Sequence, residues 1–414
     1  MVVEIKKKES RIQGVVTLDG SKRISNRVLA IQALCKTSFP ITHLSSSTDT
    51  ATFRALLKNN SKVFDAGEGG TTFRFFTALL AMRPGVQILT GSDRMKERPI
   101  HPLVNTLNQL GASIEYTERE GFPPLKIGDP DFSASGKREI SIEAGLSSQF
   151  VSALLMIAPL LPQGLALHLS DEAVSKAYIK MTLGIMSHFG VQAHWTGNTI
   201  FVSPQEYRPH AVKIEADWSA ASYYFGLAAL SSGADLQLNG LMKNSLQGDA
   251  VLVEIMRQFG VESTFDRQSL GLKKTKIMLP EKLEIDCTDC PDLVQTFSVV
   301  CAGLGVPATF SGVQTLKIKE TDRLAALENE LGKTGVAAKH IKKDGRDLFF
   351  QSGKALLTDD LIFETYGDHR MALALAQLSV LHPVRIKHPE VVKKSYPLFW
   401  TDLEKLGFEI KYSG

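Results

Sequence analysis

VQILTGSDRMKERPIHPLVNTLNQLGASIEY, residues 86–116, runs from an apolar stretch through a charged loop into a segment where Leu103, Leu107 and Leu110 recur at helical spacing. That spacing predicts a helix with one buried face. Gly111 stands where such a helix ends in the left-handed conformation, and a second strand-like run, ASIEY, follows. The same order returns at residues 165–195, 236–264, 308–338 and 384–410, with helix-ending glycines at Gly190, Gly260, Gly335 and Gly407. A spacing of about 70 to 80 residues is too long for a solenoid and fits a supersecondary unit with two helices. FRALLKNNSKVF, residues 53–64, reads as a shortened sixth copy, a truncated helix and strand. The predicted fold is α/β, built by repetition of one module.

Composition narrows the function. The chain has 414 residues, a length for two or three domains, and 43% hydrophobic residues to fill their cores. Its 47 basic and 44 acidic residues nearly cancel, so no global field exists to hold nucleic acid or anionic lipid, and neither is an expected partner. Four cysteines, Cys35, Cys287, Cys290 and Cys301, are too few for a disulfide framework and suggest a reducing compartment. Cys287 and Cys290 lack the second pair or histidine set that a structural zinc site needs, so no metal is expected. MVVEIKKKES has no apolar core of a signal peptide, and FVSALLMIAPLLPQGLALHL (150–169) is broken by prolines, Gln163 and Gly164, short of a membrane span. A cytoplasmic protein is expected.

In each repeat the charged and hydroxyl residues fall between strand end and helix start. The first turn of a helix leaves N–H groups unpaired and favours anions, so modules around a common centre could aim several helix starts at one anionic ligand. KIKETDR (317–323), taken alone, is a solvated start capped by Thr321 or Asp322. Its counterparts carry Arg94, Lys96 and Arg98; Ser175, Lys176 and Tyr178; and Lys393 and Lys394. Recurrence in a nearly neutral chain implies a locally cationic pocket. DGSKRISNR (19–27) adds Lys22, Arg23 and Arg27, with arginine suited to bidentate contacts and lysine to a point charge. DAGEGGTTFRFF (65–76) lets backbone approach a phosphate closely, although it is neither a Walker motif nor a dinucleotide fingerprint. GLSSQF (145–150) offers the neutral donors Ser147, Ser148 and Gln149, and YGDHRMALALAQLSV (366–380) sets Asp368, His369 and Arg370 at the mouth of an apolar helix.

Read in order, G-S-K-x-x-S-N-R, G-x-G-G-T-x-x-R, R-M-K-E-R-P-I, S-S-Q-F, V-S-K-x-Y-I, K-E-T-D-R and D-H-R-M-A resemble the 5-enolpyruvylshikimate-3-phosphate synthase family of enolpyruvyl transferases, from about residue 15 to residue 400. The resemblance implies a two-domain inside-out α/β barrel, or α/β prism, of β-α-β-α-β-β units. One domain would span 20–215 and the other 1–19 with 216–414, with hinges near Gly20 and Glu215 to Asp217 and closure on the ligands. It implies transfer of the enolpyruvyl group of phosphoenolpyruvate to the 5-hydroxyl of shikimate 3-phosphate, releasing phosphate, in aromatic amino-acid biosynthesis. No cofactor is called for, the partners are these two small molecules, and a monomer is expected.

The resemblance also assigns roles. Lys22, Arg98 and Lys394 would hold the phosphoenolpyruvate phosphate, with Gly70 lending backbone; Arg323 and Arg370 would take its carboxylate. Arg27, joined by Arg23, would bind the shikimate carboxylate, and Ser147, Ser148, Ser175 and Lys319 its phosphate, with Tyr178 beside them. Gln149 would lie between the substrates. Asp292, in DCPDLVQTF, and Glu320 would handle protons, with Lys22 close to the chemistry.

Four features depart from the family pattern. Arg23 stands where serine is usual, Glu68 where an asparagine-like residue is usual, and Thr315 where asparagine is frequent; between Thr48 and Glu68 part of the first unit is missing. Two alternatives follow. The related transferase acting on UDP-N-acetylglucosamine carries a cysteine before its R-P, where this chain has Asp93. A catalytically inactive anion-binding relative is the other. An RNA-processing relative is disfavoured, since no basic stripe with interleaved aromatics is present.

Overall fold

The helix at His101–Leu110 shows how one module assembles. Pro102 lies in its first turn, where a missing N–H costs nothing, and Gly111 ends it at φ 114°. Leu103, Leu107 and Leu110 are buried, as their spacing predicted. The Asn108 side chain then grips Ile114, Nδ2 donating to its carbonyl at 2.8 Å and Oδ1 accepting from its amide at 2.9 Å, which fixes the turn into strand Ser113–Tyr116. Ser113–Tyr116 edges a four-stranded sheet. Val63–Asp65 runs parallel to Gln87–Thr90, and Leu125–Gly128 runs antiparallel to both Gln87–Thr90 and Ser113–Tyr116. With helices Gly70–Ala81 and His101–Leu110 as crossings, the module is β-α-β-α-β-β.

The computed structural model describes residues 1–133, 138–143, 147–170, 176–267 and 269–414. Within them the same strand order recurs in four more sheets. One of these is closed from the far end of the chain. Val2–Lys6 pairs antiparallel with Val384–Lys387 and with Glu409–Ser413, supplying the fourth strand of the last module. The sixth sheet has only Ile41–Thr42 parallel to Val212–Lys213. Helix Thr48–Leu57 leads directly into Val63–Asp65, so two strands of this module are missing, and the strand predicted within the shortened copy is the first strand of the next module.

The chain divides into two units. The terminal unit comprises Met1–Gly20 and Glu215–Gly414, and the central unit Ser21–Ile214. Within the terminal unit the two crossing points are tied by a bridge between Gly20 and Ala216 and by the Asp217 amide donating to the Asp19 carbonyl at 3.0 Å. Each unit holds three of the six sheets and its own core. Trp218–Leu230 in the terminal unit is buried at every residue, and Gly70–Ala81 in the central unit at every residue but Thr71. A helix apolar all round belongs in an interior. The strands instead alternate buried and exposed positions, as Gly233–Asn239 does, so each sheet covers buried helices with one face and meets solvent with the other. Among the described residues no helix is long and apolar enough to cross a membrane; the stretch at 150–169 breaks at Pro159 and Pro162 into a helix, a short 3-10 turn and strand Leu165–Leu169.

Candidate active site

In the central unit, short contacts tie together the first turns of five helices. Lys22, first residue of Lys22–Leu34, pairs with Asp49 in the first turn of Thr48–Leu57 at 3.0 Å. The Asp49 carbonyl accepts from Thr72 Oγ1 at 3.3 Å, reaching the start of Gly70–Ala81. Thr71 beside it accepts from Gln149 Nε2 at 3.1 Å, and Gln149 is in the first turn of Ser148–Ile157, whose cap is the Ser147 hydroxyl. Arg23 closes the set, its guanidinium 4.8 Å from the ring centre of Tyr178 in the first turn of Lys176–His188. Ser175 lies outside the described residues.

Gly70 shows why glycine is needed at that start. A Cβ there would lie 2.6 Å from Arg98 Nη1 and 2.8 Å from Arg74 Nη1, so the missing side chain is what lets two guanidinium groups rest against the helix end. Arg74 in turn donates to the carbonyls of Gly70 at 3.0 Å and Pro99 at 3.4 Å, holding the Arg98 loop. Cations against a helix N-terminus suit a phosphate. Glu68, two residues earlier, is exposed.

Arg27 lies deeper. Its Nε donates to Thr182 Oγ1 at 2.7 Å, Nη1 to the Arg23 carbonyl at 3.1 Å, and Nη2 to Ser152 Oγ at 3.1 Å and the Tyr178 carbonyl at 3.4 Å. Burial, with the Arg23 charge adding, pulls its pKa down to about 9.

The terminal unit gathers its predicted residues around Arg323, which opens helix Arg323–Gly332 behind the Asp322 cap. Arg323 Nη1 meets Asp292 at 2.8 Å, Nη2 meets Glu320 at 2.9 Å, and Nε meets Asp368 at 2.7 Å. Burial works to lower the Arg323 pKa, but the charges of Asp368, Glu320 and Asp292 outweigh it and hold the group above its ordinary value. Asp292 is shared: its other oxygen lies 3.0 Å from Arg370 Nη2. Lys394 approaches Glu320 at 3.6 Å. Lys319, at the C-terminal end of the 3-10 turn Gln314–Ile318, is half-buried beside Glu320, and Thr315 in that turn is buried. Arg370 also reaches Tyr223 at 3.5 Å and Ser219 at 3.4 Å, and Ser219 donates to the buried Asp249.

Asp368 does more than cap its helix. One oxygen caps its helix by accepting from the Arg370 amide at 2.8 Å while the other takes Arg323. Its neighbour His369 is buried. Asp49 carried no sequence signal beyond an ordinary helix residue, and Arg74 entered only as the last position of G-x-G-G-T-x-x-R, with no role assigned. Among the described residues no group of three or more His, Cys, Asp or Glu is placed to hold a metal ion. Cys287 and Cys290 are free and buried, and the hydrogen bond between the Cys287 thiol and Cys290, together with burial, pushes the Cys287 pKa well up.

Comparison with known proteins identifies the family. The family model for EPSP synthase (3-phosphoshikimate 1-carboxyvinyltransferase) matches residues 54–403. The chain is 44% identical over 404 residues to the 3-phosphoshikimate 1-carboxyvinyltransferase of Bacteroides fragilis (strain YCH46), covering 97% of both chains. It is 33% identical over 413 residues to that of Neisseria meningitidis serogroup B (strain ATCC BAA-335 / MC58), covering 93% of this chain and 94% of the relative. EPSP synthase from Acinetobacter baumannii superposes with a TM-score of 0.76 at 18% identity over 99% of this chain and 100% of that one. The enolpyruvyl transferase NikO from Streptomyces tendae gives 0.73 at 14% identity over 100% and 98%. At those identities the structures speak for the fold, the two-domain inside-out α/β architecture. The sequence matches go further: this chain belongs to the EPSP synthase (3-phosphoshikimate 1-carboxyvinyltransferase) family.

Proposed function

We propose that this protein is an enzyme that transfers the enolpyruvyl group of phosphoenolpyruvate to the 5-hydroxyl of shikimate 3-phosphate and releases phosphate. The observation that carries the site reading is the single Asp292 carboxylate spanning Arg323 at 2.8 Å and Arg370 at 3.0 Å. Two guanidinium groups set to share one carboxylate are a ready seat for that of phosphoenolpyruvate. Gly70 and Arg98, with Lys22 and Lys394, suit its phosphate. Ser147, Ser148, Ser175, Lys319 and Tyr178 are assigned to the shikimate phosphate end, Arg23 and Arg27 to the carboxylate end, and Gln149 to both substrates.

Both substrates are multiply anionic and repel each other in water. Fixed cations in a site of low dielectric reverse that repulsion, each charge-assisted hydrogen bond contributing about 1.5 to 3 kcal/mol. The 5-hydroxyl oxygen adds to C2 of phosphoenolpyruvate while C3 gains a proton; the adduct then loses phosphate from C2 and a proton from C3. One group must accept the hydroxyl proton and another must serve C3, and Asp292 and Glu320 are the carboxylates proposed for these tasks, each such step typically gaining about 10² to 10⁴ in rate. A cytoplasmic monomer completes the reading.

Phosphate release from phosphoenolpyruvate tests it. Release with shikimate 3-phosphate is expected. Release only with UDP-N-acetylglucosamine would replace the acceptor, and binding without release would leave an anion-binding relative.

A further inference from the structure

Asp368 and Arg370 follow a turn that ordinary side chains avoid. Between strand Ile362–Phe363 and helix His369–Leu375 the Thr365 carbonyl accepts from the Asp368 amide at 2.8 Å, and the two residues enclosed, Tyr366 and Gly367, stand at φ 53° and 69°. Positive φ at both central positions is the pattern of a type I′ turn, where Asn-Gly is the favoured pair. Glycine meets it without strain, but tyrosine brings its Cβ against backbone, which weights other conformers by roughly five- to thirtyfold. Something in the fold must hold Tyr366 there.

Glu330 supplies the hold. The Tyr366 hydroxyl donates to its Oε1 at 2.7 Å, while its Oε2 accepts from the Glu364 amide at 2.9 Å and from Lys333 Nζ at 2.6 Å. The Glu330 side chain is fully buried, so each of these donors counts. Burial, with the Glu330 bond adding to it, pushes the Tyr366 pKa up to about 12 and keeps the phenol a donor. Glu330 belongs to helix Arg323–Gly332, and Arg323, about 10 Å away at the start of that helix, holds Asp368 at 2.7 Å. One helix therefore grips the turn on both sides, Glu364 and Tyr366 through Glu330 and Asp368 through Arg323. Arg370, two residues beyond Asp368, meets Asp292 at 3.0 Å from the position this sets.

We infer that Glu330 and Tyr366 are positioning residues for the phosphoenolpyruvate carboxylate seat: their hydrogen bond holds the turn Thr365–Asp368 in its left-handed form, and that form presents Asp368 to Arg323 and Arg370 to the ligand. The inference rests on the proposed function, in which Arg323 and Arg370 take that carboxylate. Neither Glu330 nor Tyr366 need touch the ligand. When the turn relaxes, the fraction of molecules with a competent seat falls, and apparent affinity falls by the same factor.

The test is steady-state kinetics with phosphoenolpyruvate and shikimate 3-phosphate for the unmutated protein, Tyr366→Phe and Tyr366→Asn. Tyr366→Phe removes the hydroxyl and keeps the backbone strain, so its KM for phosphoenolpyruvate should rise roughly five- to thirtyfold, with kcat and the KM for shikimate 3-phosphate changed far less. Tyr366→Asn loses the same bond but is at home at positive φ, and should return the KM for phosphoenolpyruvate to within about threefold of the unmutated value. A merely structural role would lower Tm in both variants without separating them in that KM. Should Tyr366→Phe not fold, Tyr366→Ala set against Tyr366→Asn makes the same comparison, since both drop the ring. An unchanged KM for phosphoenolpyruvate in the strained variant, an equal rise in both KM values, or a Tyr366→Asn as impaired as the strained variant overturns the inference, while turnover by the unmutated protein upholds the proposed function. Absence of turnover by the unmutated protein overturns that function and this inference together.

Discussion

Arg27 in the central unit and Arg323 in the terminal unit are both buried arginines near the start of a helix, and their surroundings drive them in opposite directions. Arg27 is held by two hydroxyls, two carbonyls and an aromatic ring, and its pKa falls to about 9. Arg323 is held by three carboxylates, and its pKa rises. A cation among neutral dipoles keeps its charge only at a cost that a nearby anion relieves; a cation among carboxylates already has its counter-charges. The first arrangement invites an anionic ligand. The second fixes Asp292 and Glu320, the two carboxylates proposed for proton transfer, against one guanidinium.

The largest effect is expected from Arg323→Met, which strands the fully buried Asp368 together with Asp292 and Glu320. Breaking buried pairs in this way costs about 3 to 5 kcal/mol, measurable as a lower denaturant midpoint, and activity is lost. Arg27→Met removes only neutral partners, so its stability cost should be smaller, about 1 to 3 kcal/mol. Equal costs for the two variants would remove the contrast. Next come Arg98→Ala and Arg370→Ala. Each should stay folded by circular dichroism yet lose about 10² to 10⁴ in kcat/KM, on the basis of two charge-assisted bonds per arginine; wild-type kinetics in either would withdraw that residue's assignment.

Gly70→Ala should act more mildly, because its methyl at 2.6 Å from Arg98 Nη1 pushes a flexible side chain rather than backbone. A KM for phosphoenolpyruvate raised roughly tenfold is expected, consistent with one weakened charged contact, with the KM for shikimate 3-phosphate little changed. Asp93→Ala should do least. The residue is exposed in the first turn of Asp93–Lys96, and kinetics within about twofold of wild type are expected, as for surface positions away from a site.

The modular fold was legible because each copy repeats the same local physics, an apolar run, a polar helix start and a left-handed glycine, and Gly111, Gly190, Gly260, Gly335 and Gly407 all adopt positive φ. Closure of the last sheet by Val2–Lys6 was not legible, since its partners stand at the opposite end of the chain and nothing local marks the pairing. The site was read in part for the same reason. Motif residues at helix starts announce themselves through charge where capping would suffice, as Asp368 and Arg370 do. The Arg27 cage does not: Thr182 and Ser152 lie 155 and 125 residues away and look like ordinary helix positions. Arg74 closes the G-x-G-G-T-x-x-R motif, but nothing in that motif announces its bonds to the Gly70 and Pro99 carbonyls.

A crystal structure with shikimate 3-phosphate bound is the most direct measurement. The predicted result is the ligand seated among Lys22, Arg27, Ser148 and Tyr178, with polar contacts within about 3.2 Å. A ligand bound away from Lys22, Arg27, Ser148 and Tyr178 would contradict it.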